Sequence, residues 1–226
     1  MKKLFSFLAL TLIITSYAQT LKDFSVPEGY KKISEARGDL DQDGRDEIVM
    51  VFNTNTRATK EEYPETDYKR VLYILKNTAN GLKVWKEAYG FLISSGMGFS
   101  PEYNSPPEVS IKNNALTIHQ EFNTNSRHRL AYRHTFRFQN NDFYLIGSQE
   151  NFDDTCEFNI LHEVNFSTGK VIVDEQYYPC FEGDKAPQEN FYKSFTHKLK
   201  HPIKMSDFKI GENQFPVPGS KRTFIF

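Results

Sequence analysis

The chain has 226 residues, of which 28 are Lys or Arg and 29 are Asp or Glu, so its formal net charge is −1. A charge this close to zero, with both signs mixed along the sequence, excludes the basic surface on which nucleic-acid-binding proteins depend. Only 38% of residues are hydrophobic, but 20 Phe, 12 Tyr and 1 Trp supply enough apolar surface for a β-rich core.

The first 18 residues have the pattern of a secretory signal peptide. A basic start is followed by an apolar run from Leu4 to Ile14, and the small residues Ser16 and Ala18 suit a cleavage site. The run is shorter than the about 20 residues of a membrane-spanning helix. We therefore predict an exported protein, periplasmic or extracellular, with no membrane span after cleavage. Residues 19–226 are expected to form a single β-rich domain whose C-terminal part is irregular from about residue 181.

The acidic stretch from Asp39 to Glu47 is the most specific motif. Counted from Asp39, carboxylates occupy positions 1, 3, 5, 8 and 9, and a glycine occupies position 6. Like charges at this density repel unless a cation lies among them, and alternating oxygen donors around a glycine bend are typical of Ca²⁺ loops. Met50 at position 12 excludes the helical EF-hand form, which has a Glu there. The predicted ligand set is Asp39, Asp41, Asp43, Arg45, Asp46 and Glu47.

In this prediction the Ca²⁺ ion is structural, and Glu47, or else Asp46, closes the cage around it. The alternative is a turn between two strands that needs no metal, because Asp and Gly favour turns for their own conformational reasons. After the loop, apolar runs predict strands over 48–53, 70–76 and 82–89, and the polar segment 54–67 is expected to be a loop.

From residue 107 to 178 the sequence alternates between apolar and polar residues, which predicts antiparallel strands with one solvated face. Asn-Asn turns at 113–114 and 140–141, and Ser-Thr-Gly at 167–169, separate successive strands. A further strand is expected over 191–200 and an edge piece over 202–208. The predicted fold is mainly β: an antiparallel meander, sandwich-like or strongly curved, with few or no helices in the mature chain. The expected partners are Ile111 with Leu116, Val109 with Ile118, Phe138 with Phe143, Phe136 with Leu145, and Phe166 with Lys170.

The two cysteines, Cys156 and Cys180, are expected to form a disulfide, because export leads to an oxidising compartment. If Phe166 pairs with Lys170, the continued ladder places the two cysteines opposite each other. A bulge near Pro179 would shift this register by one residue. Two reduced, partly buried thiols are the alternative.

The Gly-rich segment 90–101 and a basic strand near residue 130 are the candidate ligand-binding features. Glycines allow close approach of the backbone, and aromatic residues between them suit the lining of a groove. Alternatively, the Gly-rich segment is a plain connection between strands, and the basic strand is the solvated face of a sheet. Nearby His134 is expected to be a hydrogen-bonded core or rim residue. The predicted contacts are Phe91, Gly96, Met97, Gly98, Phe99, Arg129 and Arg133.

Neither a nucleophile elbow, a His-Glu-x-x-His zinc helix nor a Cys–His signature occurs in the sequence. We therefore predict a non-catalytic protein that binds an envelope protein or a glycan. A periplasmic inhibitor or immunity-like protein that binds a toxin or a hydrolase is one alternative. The other is a glycan-directed hydrolase, for which Asp153 and Asp154 near Glu157 are the nearest approach to a carboxylate pair.

The order of these motifs resembles a loosely defined group of exported bacterial proteins, common in Bacteroidetes-type genomes, with one FG-GAP/VCBS-like calcium loop. The similar features are Pro-Glu-Gly-Tyr at 27–30, the acidic loop and its strand, the Gly-rich loop, Asn-Asn-Asp-Phe-Tyr-Leu-Ile-Gly at 140–147, and the turn at 165–170. The resemblance covers about residues 26–207, and it departs from the usual motif in having Glu47 where Asp is common. It implies a Ca²⁺ loop and, for some members, a link to surface polysaccharide.

Overall fold

The computed structural model describes residues 21–59 and 67–226, so the predicted signal peptide lies outside the described residues. Over these ranges the chain forms β-strands joined by short loops and one 3-10 turn, Pro101–Tyr103. The strands are β1 Lys22–Asp23, β2 Lys31–Gly38, β3 Glu47–Arg57, β4 Tyr68–Thr78, β5 Gly81–Ala88, β6 Glu108–Lys112, β7 Ala115–Asn123, β8 His128–Gln139, β9 Asp142–Asp154, β10 Phe158–Asn165, β11 Lys170–Tyr177, β12 Phe191–Thr196, β13 Gln214–Pro216 and β14 Thr223–Ile225.

The strands form two main antiparallel sheets and a small ribbon. The first sheet has the order β1-β5-β4-β3-β2, and the second has the order β12-β11-β10-β9-β8-β7-β6. Strands β13 and β14 pair with each other. The second sheet is therefore a pure meander, which short connections between neighbouring strands favour. The prediction of a mainly β, sandwich-like antiparallel fold is confirmed.

Both Asn-Asn turns have the geometry that the sequence predicts. All four asparagines have φ between 49° and 62°, the left-handed conformation of a two-residue type I′ hairpin turn. Because such a turn fixes the register of its strands, the expected partners follow. Ile111 pairs with Leu116, and Phe138 pairs with Phe143.

Four short or polar strands were not predicted. Strand β1 has only two residues. Strand β2 has the charged sequence KKISEARG, and it lies at the edge of its sheet, where only one side is paired. Strands β13 and β14 have three residues each, too few for alternation to be visible. The predicted strand at 191–200 ends earlier, at Thr196. The edge piece at 202–208 is reduced to a bridge between Lys204 and Tyr144.

The two sheets enclose one core, and a second apolar cluster covers the other face of the first sheet. Alternation along β3 and β4 divides their side chains: Val49 and Leu72 belong to the core between the sheets, whereas Ile48 and Val71 belong to the other cluster. The C-terminal segment supplies several large residues to the main core. They are Met205, Phe208, Phe215, Val217, Phe224 and Phe226.

The disulfide between Cys156 and Cys180 is present, with the two Cα atoms 5.3 Å apart. The register that suggested it differs by one residue: Asn165, not Phe166, pairs with Lys170, so the hairpin loop has four residues. The bridge still forms because both cysteines lie beyond the paired strands, which end at Phe158 and Tyr177. One further backbone hydrogen bond, from the amide of Tyr178 to the carbonyl of Glu157 at 2.8 Å, lies between the last pair and the bridge.

His134 is a buried histidine in the main core, but it is not hydrogen-bonded as expected. Neither ring nitrogen has a hydrogen-bond partner. Its ring stacks on Tyr132 and meets the edge of Phe208, with centroids 5.9 Å and 4.8 Å away. Burial among these rings disfavours the charged imidazolium and lowers the pKa of His134 to about 3.

This buried imidazole predicts a pH-dependent stability. Between pH 6.5 and 3 the unfolded chain binds a proton at His134 that the folded protein excludes, so the free energy of unfolding falls as the pH falls. At pH 5 this loss amounts to about 2 kcal/mol relative to neutral pH. Urea unfolding of wild type and His134→Phe at pH 7 and pH 5 measures it. The variant is expected to lose less stability on acidification, whereas His201→Phe, at an exposed position, changes nothing. Equal losses in wild type and His134→Phe contradict the prediction.

Within the described ranges, no helix combines the length and the hydropathy of a transmembrane segment.

Candidate functional site

Two sites lie at opposite ends of strands β2, β3 and β4. The acidic loop connects the end of β2 to the start of β3, and the end of β4 lies beside it. A cleft lies at the other end, where β2 and β4 begin and β3 finishes. The sheet therefore holds the two sites apart.

The acidic loop is fixed by hydrogen bonds from its own backbone. Asp39 accepts two of them, from the amide of Gln42 to Oδ1 at 2.6 Å and from that of Gly44 to Oδ2 at 3.0 Å. Asp43 accepts a third from the amide of Arg45 at 2.9 Å. Such bonds occur in Asp-rich turns with or without a metal ion. They therefore do not distinguish a Ca²⁺ loop from a turn that needs no metal.

Glu47 lies beneath the loop and is 2% exposed. Its Oε2 accepts a hydrogen bond of 2.8 Å from the amide of Leu40, whose own side chain is buried in the core. Burial raises the pKa of the Glu47 carboxyl above its ordinary value, although the bond from Leu40 opposes this. Glu47 is thus a loop-closing residue, since it ties the first turn of the loop to the start of β3.

Lys76 supplies a positive charge in the middle of this acidic group. Its Nζ forms an ion pair with Asp41 and lies 3.7 Å from Oδ2 of Asp43 and 3.8 Å from Oε1 of Glu47. It also lies 4.4 Å from the ring centroid of Trp85, a cation–π contact. Burial opposes the charge, but the carboxylates outweigh it and raise the pKa of Lys76. The crowded negative charges are therefore partly balanced from within the chain.

The donor set still fits a divalent ion. One carboxylate oxygen from each of Asp39, Asp41 and Asp43 lies within 4.8 Å of the other two. Two oxygens on one Ca²⁺ ion are at most about 5 Å apart, given bonds of 2.3–2.6 Å. Oδ1 of Asp41 is buried and has no hydrogen-bond partner. Lys76 contacts the other oxygen of Asp41, Oδ2, so a metal ion on Oδ1 would have to share this carboxylate with the ammonium group or displace it.

The predicted ligand set is only partly brought together. Asp39, Asp41 and Asp43 converge, whereas Glu47 is not part of this triad and lies 3.8 Å from Nζ of Lys76. The side chains of Arg45 and Asp46 are exposed and stand outside this group. Sequence reasoning missed Lys76, which is 35 residues from Asp41. The signal was the alternation along β4, which places Lys76 on the same inward face as Leu72 and Ile74. A lysine on a buried face needs an acidic partner.

The cleft at the other end of the sheet has a volume of about 1250 Å³ and is open to solvent. Strands β2 to β4 form one wall, and residues 95–106 form the other. Its lining is mixed, as in sites that bind polar ligands through a few placed groups. Amide, aromatic and charged side chains all contribute: Lys31, Asn53, Asn55, Arg70, Phe99 and Glu102.

Phe99 is exposed in the cleft, although its backbone is held firmly. Its amide donates a 2.7 Å hydrogen bond to the carbonyl of Asn123. Gly98 before it has φ of 91°, and a Cβ there would be 2.5 Å from that same carbonyl, so only glycine fits. The ring is 52% exposed. An apolar ring presented from an anchored backbone is suited to stacking on a ligand.

The predicted ligand contacts do not form one surface. Gly98 and Phe99 line the cleft. Phe91 is 0% exposed and packs on Phe136, so its side chain is core and is not accessible to a ligand. Gly96 is also buried, and its amide donates to Asp67. Three more lie outside this cleft: Met97, exposed beside it; Arg129, paired with Asp153; and Arg133, in a smaller cleft between the sheets.

The carboxylates near the disulfide have structural partners. Burial raises the pKa of Asp154, but the amides of Cys156 and Glu157 and the guanidinium of Arg127 outweigh it and hold that pKa well below its usual range. Arg127 Nη2 is 2.8 Å from Oδ1 of Asp154 and 3.5 Å from Sγ of Cys156. A carboxyl held ionised in this way is a poor general acid, and its contacts stabilise the corner around the disulfide.

Comparisons of the chain with protein-family models, with curated proteins and with solved structures find no match. The two sites are therefore the basis on which function is inferred.

Proposed function

We propose that this chain is an exported, non-catalytic binding protein of the cell envelope that holds a saccharide in the cleft between β2–β4 and residues 95–106. The observation that carries this proposal is Phe99, which is exposed and held by its backbone in a cleft that amide side chains also line. Sugar rings present C–H groups that stack on aromatic faces and hydroxyls that bond to amides. Asn53 and Asn55 on β3 are the amides that the opposite wall offers.

Binding without hydrolysis is favoured by the composition of the cleft. Glycosidases use two carboxyl groups across the scissile bond. Among the described lining residues, Glu102 is the one carboxylate, and it is exposed at the rim. This lining offers hydrogen bonds and stacking but lacks the second acid or base.

Export is supported by the disulfide, because a structural bridge is stable in an oxidising compartment and rare in the cytosol. We further propose that the acidic loop takes Ca²⁺ as a structural ion, with Asp39, Asp41 and Asp43 as its ligands. The buried, unpartnered Oδ1 of Asp41 supports this. When bound, the ion would fix the connection between β2 and β3.

Binding of the mature protein, residues 19–226, to an immobilised panel of neutral and acidic oligosaccharides tests the proposal. We expect retention of a subset of glycans and loss of that retention in Phe99→Ala. Met97→Ala is the matched control, because Met97 is exposed on the same loop but lies outside the cleft lining. Absence of binding across the panel, or equal binding by Phe99→Ala, contradicts the proposed function.

A further inference from the structure

The cleft contains a partly buried cation that has only neutral hydrogen-bond partners. The Nε of Arg70 donates to Oδ1 of Asn53 at 3.0 Å, and its Nη1 donates to the carbonyl of Ile93 at 3.1 Å. Among the described residues no carboxylate forms an ion pair with Arg70. Asp67 is the acid whose charge acts on it, but Oδ1 of Asp67 accepts the amide of Gly96 at 2.9 Å.

These two bonds orient the guanidinium without neutralising it. A guanidinium has five N–H donors, and the bonds to Asn53 and Ile93 use one on Nε and one on Nη1. The Nη2 hydrogens have no partner among the described residues. An arginine held by neutral acceptors keeps its charge and its remaining donors for a ligand, and burial strengthens the attraction because the local dielectric constant is low.

We infer that the saccharide bound in the cleft carries a carboxylate, as a uronic acid does, and that Arg70 receives this carboxylate. The inference deepens the proposed function and depends on it. A planar guanidinium matches a carboxylate through two parallel hydrogen bonds, which gives both strength and orientation. Lys31 adds a second positive charge to the lining, against the one negative charge of Glu102.

A nucleic acid also carries anions and stackable rings, but the chain does not suit it. Recognition of a phosphate backbone needs a row of cations, and the net charge of the whole sequence is −1. The cleft offers one oriented guanidinium beside amides and an aromatic ring.

Titration calorimetry with a tetragalacturonide and with its neutral counterpart, a galactose tetramer of the same linkage, tests this inference. For wild type we expect the acidic oligosaccharide to bind about 10- to 100-fold more tightly, as a charged hydrogen bond would give. Arg70→Gln is expected to lose this preference and keep the weaker neutral binding. Arg45→Gln is the matched control, because it makes the same charge change at the other end of the sheet.

The preference of the wild-type protein can be measured even if Arg70→Gln does not fold, and Lys31→Gln at the exposed rim provides a second charge variant. Equal affinities of wild type for the two oligosaccharides overturn the inference but leave the proposed function in place. An acidic preference that survives in a folded Arg70→Gln also overturns it. If wild type binds neither oligosaccharide nor any other glycan of the panel, the proposed function fails together with the inference.

Discussion

Replacement of Lys76 by Met is expected to destabilise the protein by about 3 kcal/mol in EDTA, the lower end of the cost of removing one partner of a buried ion pair. The side chain of Lys76 is 22% exposed and that of Glu47 is 2% exposed. Without the ammonium group, Asp41, Asp43 and Glu47 face one another with no positive charge between them. Thermal or urea unfolding of the variant in EDTA measures the loss.

Calcium is expected to restore much of this stability in Lys76→Met. A ligand that binds only the folded state adds about 2.7 kcal/mol at one hundred times its dissociation constant. Wild type should respond less to Ca²⁺ than the variant, because in wild type the Lys76 ammonium already balances part of the charge of Asp41, Asp43 and Glu47. The response of the variant to Ca²⁺ therefore reports on the carboxylates without this competitor.

Lys83→Met is the matched control. Lys83 lies on the neighbouring strand β5 and pairs with Asp23, whose side chain is 82% exposed. Such a surface pair contributes little, so the control should unfold like wild type. If Lys76→Met unfolds at the wild-type midpoint in EDTA, the loop does not depend on its internal cation. If Ca²⁺ leaves the midpoint of both proteins unchanged, the calcium proposal is wrong.

Phe91→Ala is expected to cost about 3–5 kcal/mol, the range for truncating a buried phenylalanine. The ring of Phe91 is wholly buried and lies 4.8 Å from that of Phe136 and 6.2 Å from that of Phe208. Its carbonyl accepts a 2.8 Å hydrogen bond from the buried side chain of Gln120. The cavity left by the substitution lies in the core, where the surrounding sheets can close over it only partly.

Phe99→Ala separates this structural role from ligand contact on the same loop. Because the ring of Phe99 is 52% exposed, its removal should leave the unfolding midpoint close to that of wild type while saccharide binding falls. Unfolding curves and binding isotherms of the two variants together give the comparison. A stable Phe91→Ala or an unstable Phe99→Ala would contradict the assignment of these two residues.

Register was predictable from sequence wherever a turn fixed it locally. The asparagine pairs at 113–114 and 140–141 set their hairpins, because two consecutive left-handed residues allow one geometry. The turn after Asn165 gave the wrong register, since a Gly in the left-handed conformation is compatible with loops of three or four residues. The disulfide was predicted correctly despite this, because Cys156 and Cys180 lie outside the ladder.

The sites were less predictable because they depend on contacts between distant residues. The carboxylates of the acidic loop are visible in the sequence, but their partner Lys76 comes from β4. The register of β3 and β4 pairs Ile48 with Leu75, so the next step brings Glu47 opposite Lys76. In the same way, spacing alone did not separate Phe91 from Phe99, since core and cleft residues alternate within one irregular loop.

The ribbon of β13 and β14 has a consequence for the order in which the molecule assembles. Phe215, Phe224 and Phe226 belong to the main core, whereas the strands of the two sheets are complete by Thr196. Until this late segment packs, the part of the core that its side chains cover is exposed. Folding to a tightly packed state must wait for it, and a nascent chain depends for that interval on whatever shields its apolar faces from other chains.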